Sequence, residues 1–350
     1  MTGPAAPPVS VCVPVYNGQN YLAEALDSIL SQTWHDFELL IVDNASSDGT
    51  PAIIEEYAAR DARVRAHISA SNIGLNSNLN RCIALARGTW IKFLFHDDLM
   101  RSECLAKFMA AVEARDRFVC CRRELLIEGD VDIESDVDDA WRDFYLRHAE
   151  ILAATFSQGE RLSAEEAGRW ILGHLLANVF GEPISMMFRR DVAIEWGGFN
   201  DDLTGWTDLE FAQRIASNTG VRLIDEPLVI FRAHGASSST TEKVDPLRAF
   251  RAEHVQAVIT LHGMNFSRAY ARLREVSRSC VPPVDLRATL ERRVRAAVEC
   301  IRKHAKTSES EAAEMQVMLD ATLERFPGAR VAGVSFPLYQ KVRRVSRLFK

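Results

Sequence analysis

Val9-Ser10-Val11-Cys12-Val13-Pro14-Val15-Tyr16-Asn17-Gly18 and Phe37-Glu38-Leu39-Leu40-Ile41-Val42-Asp43 decide the reading of the fold. Each is a short apolar, β-branched run that ends in polar or turn-forming residues. The second shows hardly any alternation, so both of its faces are expected to be covered, as in a parallel sheet packed between helices. Between the two runs, Leu22, Leu26, Ile29 and Leu30 recur at helical spacing. Ser46-Ser47-Asp48-Gly49-Thr50-Pro51 makes a turn and caps a helix over about 51–60. A third strand is expected near Val64–Ile68, a helix over 75–87 and a fourth strand over Trp90-Ile91-Lys92-Phe93-Leu94-Phe95. This β-α-β-α-β-α-β order predicts an open α/β sheet that binds its ligand outside the carboxyl ends of its strands.

Further along, residues 103–115 read as a helix, Phe118–Cys121 as a strand, and 140–154 and 163–177 as helices. Strand-like Ile184–Arg189 leads through a short helix to Trp196-Gly197-Gly198-Phe199. After Arg232 helical stretches dominate, near 245–262, 285–305 and 309–325, with a break at Pro282-Pro283. The pattern places a boundary near residue 240, with a helical region over 241–350.

Composition narrows the classes. The 350 residues are 47% hydrophobic and 26% charged, which suits a soluble globular protein and excludes a disordered or collagen-like chain. The net charge of −6 offers no global basic field for nucleic acid. Seven scattered cysteines without a C-x-x-C pair argue against a disulfide framework or a zinc site and suit a reducing cytosol. The start, MTGPAAPP, lacks the basic and apolar regions of a signal peptide, and no run of 18 apolar residues is long enough to span a membrane. A cytoplasmic protein is expected. Residues 124–139 hold eight acids and no Lys or Arg, and without the EF-hand order of ligands they read as a solvated loop.

Val13–Gly18, Ile41–Thr50 and Phe93-Leu94-Phe95-His96-Asp97-Asp98, in that order and spacing, resemble the inverting glycosyltransferases of family 2. Those enzymes have the GT-A nucleotide-diphospho-sugar transferase fold. The resemblance covers about residues 8–235. It implies a GT-A catalytic domain over 1–240, with nucleotide-sugar binding in about 9–100 and the acceptor and catalytic half in about 101–240. It also implies a metal-dependent transferase that moves a sugar from a UDP-, GDP- or dTDP-linked donor to a hydroxyl of a glycan, lipid-linked or small acceptor. The Q-x-x-R-W motif of the processive synthases is absent, so single addition is expected.

Residue chemistry agrees with the likeness. A departing diphosphate gathers negative charge, which a hard divalent cation held by carboxylates offsets. Asp97 and Asp98 end a buried-type strand, and a metal relieves the repulsion of two adjacent carboxylates. By resemblance Asp98 ligates Mn2+ or Mg2+, while Asp97 lies by the ribose or the metal's water shell. His234, in Arg232-Ala233-His234-Gly235, is expected at the metal or the diphosphate. His96 is expected to pack or hydrogen-bond beside the site, with metal ligation as the alternative. Pro14, Val15 and Tyr16 resemble the stretch that lines the nucleobase, and Asp43 the acid that accepts hydrogen bonds from it. Asp48-Gly49-Thr50 supplies the adjacent turn and leaves Asp43 for a ligand. Asn72-x-Gly74 and Asn80 match the family's donor-side stretch, with Asn72 either a donor contact or a loop former. Phe95, Asn78-Leu79 and Cys82 depart from that pattern, where Asp, Ala-Arg and Gly are usual.

Inversion needs one carboxylate that takes the acceptor hydroxyl's proton. Gly205-Trp206-Thr207-Asp208-Leu209-Glu210-Phe211-Ala212-Gln213-Arg214 resembles the family's acidic helix start and makes Asp208 the base, with Glu210 as the alternative. Two other readings stay open: a nucleotidyltransferase, although the Gly-rich cationic loop after the first strand is missing, and a non-catalytic nucleotide-sugar-binding protein of the same fold. The helical region is expected to shape the acceptor side, form a homo-oligomer contact or meet a membrane. In its last stretch, 336–350, Leu338, Val342, Val345 and Phe349 share a helical face beside five Lys and Arg. That stretch suits either a docked terminal helix or peripheral membrane contact.

Overall fold

Seven consecutive buried residues make β1 (Val9–Val15), and seven more make β2 (Phe37–Asp43). With neither face exposed, both strands have to be sandwiched, and they pair in parallel from Val9 opposite Phe37 to Val15 opposite Asp43. β3 (Val64–Ile68) joins β2, and β4 (Trp90–Phe93) joins β1, again in parallel. The connections are α1 (Leu22–Leu30), α2 (Thr50–Arg60) and α3 (Leu75–Leu85). The structure, a computed structural model, describes residues 6–128, 149–234 and 245–331.

The next elements are β5 (Leu99–Met100), α4 (Cys104–Ala111), β6 (Phe118–Ile127), β7 (Arg161–Leu162), α5 (Ala164–Gly173), β8 (Met186–Arg189), α6 (Arg190–Trp196), α7 (Thr207–Thr219) and β9 (Val221–Ala233). Among the described residues one nine-stranded sheet runs in the order β3-β2-β1-β4-β8-β6-β9-β5, with β7 on β9. The β4–β8, β6–β8 and β5–β9 pairs are antiparallel, and β6–β9 is parallel. The fourth strand ends at Phe93, two residues short of the expectation. The sixth runs to Ile127, because its distal half is bent by a bulge at Cys121 to Arg123 and pairs with β9. The two-residue strands β5 and β7 were not expected, since two residues carry no period. The helix read over 163–177 stops at Gly173, and Leu176 follows with a left-handed φ of 67°. Of the helix expected over 140–154 only the part from 149 is described, and the acidic run 130–139 and the stretch 336–350 lie outside the described residues.

Leu22, Ala25, Leu26 and Ile29 turn one face of α1 onto Val9, Val11 and Val13, and all are fully buried. At the amino ends of β1 and β2 a closed polar cluster holds the sheet. Glu38 accepts from Ser10 Oγ at 2.5 Å, Arg87 N at 2.6 Å and Arg65 Nη1 at 2.6 Å. Gly88 packs so tightly there that a Cβ would lie 2.5 Å from Ser10 N. Burial pushes the Glu38 carboxyl up, but the three donors outweigh it and hold it below the usual range.

The chain divides into two units, Met1–Asp201 with Thr207–Gly235, and Asp202–Trp206 with Ala236–Lys350. The second is helical: α8 (Pro246–Phe250), α9 (Gln256–Phe266), α10 (Ala271–Ser279), α11 (Leu286–His304) and α12 (Glu309–Arg325). Gln256 of α9 holds the short segment by accepting from Thr204 N at 3.1 Å and donating to Thr204 Oγ1 at 2.9 Å. Among the described residues no helix is long and apolar enough to cross a membrane.

Candidate active site

Because β1 and β2 end in register, the loops after them lie side by side and are laced together. Asn17 N donates to Ser46 Oγ at 2.8 Å, Ser47 N to Asn17 Oδ1 at 2.9 Å and Gly18 N to Thr50 Oγ1 at 2.8 Å. Pro14 and Val15 sit in the strand, and Tyr16 beyond it is 47% exposed. Asp43 is completely buried and accepts from both the N–H and the hydroxyl of Ser46. The expectation that the turn at Asp48 leaves Asp43 unengaged is corrected. Asp48 does cap Thr50 N at 3.0 Å, but a carboxylate with no exposure also needs partners of its own, and Ser46 supplies them. Asn72 is exposed, and its Oδ1 accepts from Asn44 Nδ2 and Gly74 N, both at 2.9 Å, so it shapes the loop that enters α3.

Asp97 and Asp98 stand in the turn between β4 and β5, and the end of β9 grips them. Arg232 N donates to Asp98 Oδ1 at 2.9 Å, and Arg232 Nε to the Asp97 carbonyl at 2.8 Å. Asp98 is 1% exposed, and burial, then the neighbouring Asp97 charge, pushes its carboxyl well up. Asp97 turns the other way. Its Oδ2 lies 3.2 Å from His234 Nε2, with side-chain exposures of 20% for Asp97 and 8% for His234. Burial would raise the Asp97 carboxyl, but the His234 hydrogen bond and His96 hold it below the usual range. Burial pushes the His96 ring down, which keeps it neutral, and that ring fills the space beside Gly18, where a Cβ would come within 2.7 Å. The pair expected to act together is therefore split: Asp98 faces inward and Asp97 meets His234. Among the described residues no group of three or more His, Cys, Asp or Glu is arranged to hold a metal ion.

Sequence reasoning missed the support of this corner. The Arg232 guanidinium joins Glu24 and Glu128 and stacks 4.9 Å over the Tyr21 ring. Tyr21 donates to Glu128 at 2.6 Å and lies 4.6 Å from the His234 ring. The signal was there in Arg232, a cation at the end of an apolar strand, but its partners are scattered through the chain.

The second cluster forms around α3 and α7. Asn80 clasps Phe199 with both amide atoms, at 2.7 and 2.8 Å. At Gly198 a Cβ would lie 2.0 Å from Asn80 Oδ1, so only glycine fits. Asn76 donates to the Asn200 carbonyl and accepts from Thr207 Oγ1, which fixes the start of α7. In the first two turns of α7 the two candidate acids differ. Glu210 is buried and bonds Arg214 through both oxygens, at 2.8 and 2.9 Å. Arg214 also donates to the carbonyls of Trp196, Gly197 and Gly198. Asp208 is half-buried and accepts from Asn178 Nδ2 at 2.8 Å. Asn178, on the loop after α5, was not singled out from the sequence, because a loop asparagine carries no pattern of its own.

Comparison with known proteins bears on this arrangement. The family model described as glycosyl transferase family 2 matches residues 10–150. An uncharacterized protein of Mycobacterium tuberculosis (strain CDC 1551 / Oshkosh), MT1568, is 30% identical over 245 residues, 68% of this chain and 70% of its own length. Of several further curated relatives the chain spans 31% to 40% of the length. S. aureus TarS 1-349, solved in complex with UDP-GlcNAc, superposes with a TM-score of 0.57 at 17% identity, over 92% of this chain and 81% of that one. The mannosyltransferase PcManGT from Pyrobaculum calidifontis, in complex with GDP-Man and Mn2+, gives 0.53 at 20% identity, over 92% and 82%. At such identities these two structures speak for the fold, a GT-A sheet with C-terminal helices. The strand-end loops and the Asp97 turn thus sit in the matched sequence, the α7 acids in the matched fold, and the chain belongs to glycosyl transferase family 2.

Proposed function

We propose that this glycosyltransferase moves a sugar from a nucleotide diphosphate sugar to a hydroxyl acceptor by one in-line, inverting displacement that depends on a divalent metal. The observation that carries the reading is the Asp97–His234 pair at the carboxyl end of the sheet. The pair sets one carboxylate oxygen and one imidazole nitrogen side by side, 3.2 Å apart, a donor set that would suit a divalent cation. Asp97 and His234 would hold that cation, and the inward-facing Asp98 would fix the turn rather than ligate. The Mn2+ and GDP-Man in the Pyrobaculum structure, and the UDP-GlcNAc in that of TarS, support a metal and a nucleotide-sugar donor. When bound, a divalent cation neutralises the charge that grows on the departing diphosphate.

Pro14, Val15 and Tyr16 would line the nucleobase, and Asp43 with Ser46 would shape the polar floor of that pocket. Asn72 would hold the loop on the donor's far side. Asp208 takes the acceptor proton. Glu210 is occupied by Arg214 inside the fold, whereas Asp208 is partly exposed at the helix start, where the dipole favours a carboxylate.

Calorimetry with UDP, GDP and dTDP, with and without Mn2+, tests the donor side. One nucleotide should bind with a clear gain from Mn2+, and the gain should vanish in Asp97→Ala. Equal binding and turnover in EDTA would overturn the metal reading.

A further inference from the structure

Charge is distributed unevenly in the helical unit. From Arg268 to Lys306 stand eleven Lys and Arg against four Asp and Glu, in a chain whose net charge is −6. On α11, Leu290, Val294, Ala297, Val298 and Ile301 are buried, and the helix packs against α9 and α12. Its outer face carries Arg292, Arg295, Arg302 and Lys303 at i, i+3, i+10 and i+11, all exposed, with Glu299 the one acid between them.

An ordinary solvated helix face mixes its signs. Around Arg292, Arg302 and Lys303 acids offset little of the charge. Arg292 reaches Thr289 at 2.8 Å, and Glu299 stands 3.9 Å from Arg302. At the amino end of α11 the entering loop adds an apolar tip. Val281 is 98% exposed, Pro282 and Pro283 are also exposed, and exposed Arg272 and Arg278 precede them on α10.

A soluble polyanion would be drawn to the cations but would leave Val281 in water. A bilayer with anionic headgroups takes both, since cations sit at the phosphates and a small apolar tip enters the headgroup boundary. We propose that the outer face of α11 and the Val281 tip form a docking surface for anionic phospholipid membranes.

Co-sedimentation of the full chain with phosphatidylcholine vesicles, with and without phosphatidylglycerol, tests it. The chain should bind only the anionic vesicles, and added salt should weaken binding. The triple variant Arg292→Glu, Arg302→Glu, Lys303→Glu should lose about tenfold or more in partitioning, with an unchanged circular dichroism spectrum, because all three side chains are exposed. Val281→Ser should lose a smaller factor, about threefold. Equal binding of the triple variant and the parent would overturn the proposal by placing the contact elsewhere, 336–350 included. Retention on polyphosphate without binding to anionic vesicles would overturn it in favour of a polyanion.

Discussion

The sheet carries polar clusters at both ends, and they are built in opposite ways. At the amino ends, Glu38 is buried, and its oxygens are taken by Ser10, Arg65 and Arg87. A glycine is needed at 88 because the backbone of Ser10 leaves no room for a side chain. At the carboxyl ends, Tyr16, Asn72, Asp97 and Asp208 keep part of their surface in water, while Arg232 holds the Asp97 turn and Asn178 holds Asp208 in place. A cluster that satisfies itself in the interior maintains the fold. One whose groups are oriented by the chain but still face outward is prepared for a ligand. The split of Asp97 from Asp98 shows the same contrast within two adjacent residues.

Asp208→Asn is the sharpest way to break that contrast. It keeps the size of the side chain and removes its basicity, so turnover should fall by about 10²–10⁴-fold while donor binding and melting temperature hold. Glu210→Gln should do the reverse. It breaks a buried ion pair, costs about 3–5 kcal/mol of stability and shows itself first in a lowered melting temperature. If Glu210→Gln folds normally and is inactive while Asp208→Asn turns over, the acids have been assigned the wrong way round.

At the amino end, Glu38→Gln should cost about 2–3 kcal/mol in denaturant unfolding and leave turnover per folded molecule unchanged. The pH dependence has a definite sign. Because the folded carboxyl is held below its usual value, its contribution is complete at neutral pH and is lost as pH falls through the folded value. The stability gap between parent and variant should therefore be constant above about pH 5 and close under more acid conditions. A gap that widens in acid would contradict the placement of Glu38 as an ionised hub.

The metal corner is expected to show an intermediate effect. His234→Ala and Asp97→Ala should each weaken Mn2+-dependent nucleotide binding by about tenfold to a hundredfold. Asp98→Asn should retain most of the Mn2+ gain and unfold more easily, because the side chain faces inward. A complete loss of the Mn2+ gain in Asp98→Asn, with His234→Ala unaffected, would restore the assignment expected from the motif.

Much of the fold was legible because β1 and β2 are apolar over seven residues and α1 carries its apolar residues at helical spacing, so period and burial coincide. Strand β5 was not legible, since Leu99-Met100 pairs only because β9 passes beside it. The strand ends of the site could be read for the same reason that the strands could. The orientation of their side chains could not. Whether Asp97 or Asp98 faces outward depends on Arg232, more than a hundred residues away, and the engagement of Asp43 depends on how the Ser46 loop closes. Asn178 was invisible, because its role exists only where the loop after α5 meets the first turn of α7.

That last contact gives the smallest expected effect. Asn178 Nδ2 reaches Asp208 Oδ2 at 2.8 Å, and the adjacent Ala177 carbonyl accepts from Gln213 Nε2 at 3.0 Å, so the loop is tied to the same helix that carries the acid. An amide held in this way fixes the rotamer of the carboxylate without touching the donor. Asn178→Ala should therefore lower kcat by about tenfold with little change in the KM for the donor, as expected for a group that orients a base. Asn178→Asp has nearly the same shape but sets a like charge against Asp208, so it should fall further than alanine. If the loop served only as a structural strap, both variants would lose stability together and turnover per folded molecule would not change. Steady-state kinetics combined with thermal unfolding separates the two cases.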